Sequence, residues 1–204
     1  MGLDMYLYAE KHISAYDFES VNGEMTRKDN LEYDNVIEAS GLNSIPTAEY
    51  GSVRVTKCVA YWRKANAIHG WIVRNCANGV DECQRISMSR DDLIALRNAC
   101  VVGLQDRHKA VPTQDSEVYT IDSGSENSTV KSIMEAFAKE TARSSRVILD
   151  EGDDPIPPVS GFFFGSTDKD EYYYRELAET AETINSILAS DIEGEYDYHY
   201  QASW

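Results

Sequence analysis

Leu3, Met5 and Leu7 alternate with Asp4, Tyr6 and Tyr8, the period-two pattern of a half-buried strand that starts almost at the first residue. Residues 14–50 are polar, with turn signals at Asn22-Gly23 and Gly41-Leu42-Asn43; Leu31, Val36 and Ala39 loosely mark a short helix over 31–39. Val53 to Val59 alternates again and predicts a second strand. Tyr61, Ala65, Ile68 and Ile72 then recur at i, i+4, i+7 and i+11, one apolar stripe of a central helix that should end near Asn78-Gly79. A short alternating stretch over 83–87 follows. Ser89 is a helix N-cap, with Asp91 and Asp92 in the first turn and Leu93, Leu96, Cys100 and Leu104 on the buried face.

Farther along, the pattern predicts a strand at 117–121, a helix capped by Ser128 and a strand at 146–149. Residues 150–158 combine acids with Pro155, Pro157 and Pro158 and form a loop. The run Phe162, Phe163 and Phe164 between Gly161 and Gly165 reads as a buried strand, and Thr167 as the cap of a closing helix carrying Tyr173, Leu177, Thr180, Ile184 and Ile187. The expected fold class is therefore α+β: a single domain with a small, mostly antiparallel sheet and three to four helices packed on it. That domain spans 1–190, with 110–159 as a candidate insertion containing the acidic, proline-rich loop 150–160, and 191–204 as a loosely held acidic, aromatic tail.

Charge changes this picture more than composition does. The 204 residues carry a net charge of −16, yet the bases concentrate in one stretch. Residues 54–109 hold ten bases and five acids, whereas residues 150–204 hold two bases and fourteen acids. A basic middle flanked by acidic ends disfavours direct nucleic-acid binding and anionic membranes. No apolar run reaches the ~18 residues of a membrane span, and the first residues lack the basic and apolar regions of a secretory signal. Cys58, Cys76, Cys83 and Cys100 form no CxxC pair, so the expectation is reduced, mostly buried thiols with no metal and no cofactor.

Three stretches carry candidate chemistry. On the predicted central helix, His69 and Asn66 are the catalytic candidates, with His69 as a general base, and Arg63, Lys64 and Trp62 are the ligand-binding candidates. The competing reading of that stretch is an amphipathic helix with core tryptophans and solvated cations. The second stretch, 161–174, puts backbone N–H groups at a helix start where an anion can bind, but Asp168, Asp170 and Glu171 already satisfy that dipole. Within Tyr172, Tyr173 and Tyr174, at least one ring has to face solvent. The third is the acidic C-terminal third, where Glu171, Glu179 and Glu182 fall on one side of the closing helix. With Asp168, Asp170, Tyr172 and Tyr174 they make a candidate partner-binding surface capable of nucleic-acid mimicry.

Residues 1–7 (MGLDMYL), 61–71 (YWRKANAIHGW) and 160–173 (SGFFFGSTDKDEYY) resemble an uncharacterised family found in bacteriophages and bacterial genomes. The resemblance covers 1–8, 60–104 and 160–188. It implies a viral or prophage origin and a bacterial cytoplasm, and no reaction. Three functional expectations follow. One is a phage-type protein that binds and modulates a host or defence protein through its acidic, tyrosine-rich surface. Another is a small enzyme acting on an anionic metabolite or nucleotide through His69, Arg63, Lys64 and Asn66. A third is a virion-associated structural protein.

Overall fold

The structure, a computed structural model, describes residues 2–110, 154–161, 164–191 and 194–204, without the side chains of 106–110. It is an α+β fold. Four antiparallel strands form one sheet in the order β4-β1-β6-β5: β1 (Asp4–Ser14), β4 (Ser52–Arg63), β5 (Ile86–Met88) and β6 (Asp197–Ser203). A separate hairpin joins β2 (Tyr16–Val21) to β3 (Glu24–Asp29). Its turn is Asn22-Gly23, where φ of 53° and 86° supplies the left-handed pair that a two-residue hairpin needs. The described helices are α1 (Leu31–Ser40), α2 (Asn66–Cys76), α3 (Arg90–Ala110) and α4 (Glu171–Ser190). None of them is long and apolar enough to cross a membrane.

The β1 alternation works as expected. Met5 and Leu7 face the helices, and their cross-strand partners Trp62, Ala202 and Tyr200 face the same way. Against this side pack Ile68 and Ile72 of α2, Leu93, Leu96 and Cys100 of α3, and Leu177, Ala181, Ile184 and Leu188 of α4, in one apolar core. α3 and α4 approach closely where Gly103 meets Leu177 and Ile156. A smaller cluster of Ile13, Ala15 and Tyr33 anchors α1 at the far end of β1 and β4.

Helix ends follow their caps. Ser89 and Asp92 form a reciprocal capping box at the start of α3: the Ser89 Oγ accepts from the Asp92 N–H at 3.1 Å, and the Asp92 carboxylate accepts from the Ser89 N–H at 2.8 Å. Asn30 caps α1, and Gly41, at φ 71°, ends it. The cap of α4 is Asp170, which accepts from the Tyr173 N–H, rather than Thr167.

Four expectations are corrected. Residues 61–63 continue β4 instead of opening the central helix, because each pairs with β1: Tyr61 with Tyr6, Trp62 with Met5 and Arg63 with Asp4. Lys64, at φ 62°, turns the chain, and α2 begins at Asn66 and ends at Cys76. Of the expected stripe, Ala65, Ile68 and Ile72 are buried, whereas Tyr61 is exposed. Gly161, Phe164 and Gly165 are not in a strand; the Phe164 N–H closes a turn onto the Gly161 carbonyl. Residues 197–203, expected in a loose tail, form β6 between β1 and β5, since Tyr198, Tyr200 and Ala202 alternate inward. Cys58 is exposed, Cys76 and Cys83 are half-buried, and only Cys100 is fully buried. The expected strands at 117–121 and 146–149 and the helix capped by Ser128 lie outside the described residues.

Candidate functional site

The five candidates of the central stretch part company at the β4–α2 junction. Trp62 stands on the helix side of β4 and donates its indole N–H to the Thr180 hydroxyl of α4 at 2.8 Å, a buried bond. His69 is 1% exposed, and both ring nitrogens are engaged: Nδ1 with the Tyr200 hydroxyl at 2.7 Å and Nε2 with Asp81 at 3.0 Å. The edge of Phe164 closes over the ring, with 5.1 Å between centroids. Neither nitrogen is left for a substrate. The Tyr200 hydroxyl is held well above its ordinary range, chiefly by burial and then by the nearby Asp81 charge, so it stays neutral.

Asn66, 6% exposed, uses its whole amide internally. Its Nδ2 donates to the carbonyls of Phe164 at 3.1 Å and Ser166 at 2.6 Å, and its Oδ1 accepts from the Val159 N–H at 3.1 Å. The first of these bonds bears on why Phe164 is not in a strand: its carbonyl meets a side chain instead of a neighbouring strand. Asn66 and His69 therefore tie the segment leading into α4 onto α2.

Arg63 and Lys64 point outward. The Arg63 guanidinium lies 3.9 Å from Asp4, and its carbonyl accepts from the Tyr172 hydroxyl at 2.9 Å. Lys64 borders a cavity of about 240 Å3 together with Asp168, Asp170, Tyr172 and Glu176, so the fold does assemble candidates from two of the three stretches. Asp170, however, caps α4, and Asp168 accepts from the Ser166 hydroxyl at 3.1 Å. Burial, and secondarily the neighbouring Glu179, pushes the Glu176 carboxyl up to about 7 against the opposing pull of Tyr172 and Arg175. Among the described residues no group of three His, Cys, Asp or Glu side chains could hold a metal ion.

The larger feature is a groove of about 1000 Å3 between the helix-facing side of β1 and β4, α1 and the outer flank of α4. Its floor includes Ile13, Val55, Val59 and Ile187, and Glu179 and Glu182 stand on the α4 wall. Glu171, Glu179 and Glu182 are exposed along one side of that helix, as their spacing predicts. Arg175 lies 3.9 Å from Glu179 and stacks over the Tyr172 ring at 5.0 Å. Tyr172 is the exposed member of the tyrosine run, while Tyr174 is half-buried against Tyr173. Tyr196 is an exposed ring that lines the groove, whereas Tyr172 borders the smaller cavity.

Sequence reasoning named Glu179 and Glu182 but missed Val55, Lys57 and Ile187, which complete the groove. The available signal was the mixing of Val53, Val55 and Val59 with Arg54, Thr56 and Lys57, more polar than the apolar run of a strand buried on both faces. No family profile, curated protein or solved structure matches this chain.

Proposed function

We propose that the chain is a binding protein, of bacteriophage type, that modulates a host or defence protein by engaging it through the groove and the acidic flank of α4. One observation carries this reading: an open groove of about 1000 Å3 has Ile13, Val55, Val59 and Ile187 in its lining, interrupted by Lys11 and Lys57, and exposed Glu179 and Glu182 on one wall. Solvent-facing carboxylates beside accessible valine and isoleucine suit a partner that brings a basic rim and an apolar centre. The enzyme candidates contribute to the framework instead, since His69 and Asn66 make all of their polar contacts inside the fold.

The test is affinity capture from bacterial extract with the wild-type chain and with Glu179→Lys/Glu182→Lys. A specific partner retained at low salt, weakened by salt and lost by the double variant is the expected result. Capture of no specific partner, or equal capture by both proteins, overturns the reading.

A further inference from the structure

The groove runs beneath a strand that has a ladder partner on one side only among the described residues. β4 is twelve residues long and stands last in its sheet, with β1 as its only ladder partner among the described residues. The opposite edge of the sheet is the three-residue β5. Every second residue of an edge strand turns its N–H and C=O outward, so β4 presents a row of backbone donors and acceptors. A register shift between Leu7 and Tyr8, which leaves Val59 without a partner on β1, marks a bulge that bends this edge. Below it, Ser52 to Cys58 pairs residue by residue with β1, from Ser14 to Tyr8.

Side chains of this stretch alternate in direction. Val53, Val55 and Lys57 lie on the helix-facing side, and Val55 and Lys57 line the groove with Ile187, Glu179 and Glu182. A strand laid along 52–58 directs every second side chain into the same groove. We infer that an extended segment of the partner protein adds to β4 as a fifth strand, with apolar and basic side chains alternately turned toward Ile187 and the α4 carboxylates. This inference rests on the reading of the groove as a protein-binding site and specifies how the partner binds there.

A second copy of this chain does not fit the same edge. β4 carries Arg54, Lys57 and Arg63 and no acid, so two antiparallel β4 strands would bring like charges together. On the strand's other face, Arg54 and Arg63 already lie near Glu10 and Asp4, and in the groove Lys11 is paired with Glu32, so Glu179 and Glu182, set against the single cation Lys57, give the groove side the charge that selects the added strand.

The probe is the fluorescein-labelled heptapeptide Thr-Val-Thr-Lys-Thr-Val-Thr, blocked at both ends, titrated against the full chain by anisotropy. Two derivatives are N-methylated on alternate residues, one at the threonines and one at the valines and lysine. Only one set of peptide N–H groups faces β4 in an added strand, so one derivative should bind at least about tenfold more weakly and the other within about twofold of the parent. Amides of alternate residues within 52–58 should gain protection from hydrogen exchange when the parent peptide binds. Equal effects of the two derivatives, or no parent binding at about 1 mM, overturn strand addition. The proposed function is judged separately. Weakened parent binding by Glu179→Lys/Glu182→Lys with equal effects of the two derivatives leaves the groove standing and removes the added strand. A strand-like N-methyl pattern untouched by the charge reversal does the opposite.

Discussion

Asn66→Ala isolates the junction on which the region around α4 depends. The substitution removes three hydrogen bonds to the Val159 N–H and the Phe164 and Ser166 carbonyls. Ser166 is exposed and can turn its carbonyl to water, but Val159 and Phe164 are half-buried. With about 1 kcal/mol for each of the two bonds to Val159 and Phe164 and a further 1–3 kcal/mol for a group left without a partner, the gross cost is about 3–5 kcal/mol. Alanine is the better residue in the first turn of α2 and returns roughly 0.5 kcal/mol. The expected net loss of about 2.5–4.5 kcal/mol is a large part of the ~5–15 kcal/mol that holds a typical domain together. Urea denaturation gives the number, and native-state hydrogen exchange at Val159 gives its location, since that amide should lose protection before the core of β1. Asn66→Asp should be at least as damaging, because a carboxylate then faces two carbonyl oxygens. A loss below about 1 kcal/mol for alanine, with Val159 still protected, would falsify the staple and reopen Asn66 as a residue kept for a ligand.

Three further outcomes follow from packing and titration. Gly103→Ala places a Cβ 2.8 Å from Leu177 Cδ1 and 3.0 Å from Ile156 Cγ2. The strain of about 1–3 kcal/mol should match or outweigh the roughly 1 kcal/mol gained in helix propensity, so a higher melting temperature would contradict the packing of α3 on α4. For Glu176, the folded carboxyl titrates at about 7 and the reference value is 4.5. The folded chain therefore keeps a proton that the unfolded chain has released, and stability falls as pH rises through that window and levels off above it. Glu176→Gln should flatten this part of the pH profile; an unchanged slope would show that the carboxyl is not shielded. In thiol labelling of the native protein, exposed Cys58 should react first. Burial pushes Cys76 up to about 12 and Cys100 higher still, so both should lag, and early labelling of Cys100 would refute its burial.

Local signals in the sequence were read correctly where local physics decides. The Ser89 cap, the turn at Asn22-Gly23, the alternation of β1 and the inward face of α4 all depend on residues a few positions apart. The errors arose where distant partners decide. Tyr61 fits the helical stripe of Ala65, Ile68 and Ile72, but pairing with Tyr6 keeps it in a strand. The alternation of Tyr198 and Tyr200 was visible, yet nothing nearby marks it as central; its burial comes from Ala9 and Leu7. His69 looked chemically available because Tyr200 and Asp81, which enclose it, are remote or carry no helix-spacing signal. For the groove, α4 supplied a readable acidic face, whereas the opposing wall depends on the order of the strands, which leaves β4 outermost among the described residues.

Placing β6 beside β1 also sets the order in which the molecule can be completed. Leu7 pairs with Tyr200, 193 positions later, so this ladder closes nearly the whole chain into one loop. During synthesis β1 can already pair with β4, but its other edge waits until the residues of β6 have left the ribosome. β5 waits as well, because its only ladder partner among the described residues is β6. Such distant pairing makes closure late and slow compared with forming α3 or the β2–β3 hairpin. Until then Leu3, Met5 and Leu7 lack the cover that Tyr200 and Ala202 give them in the finished fold, and an incomplete chain of this topology exposes apolar surface of the kind that promotes association.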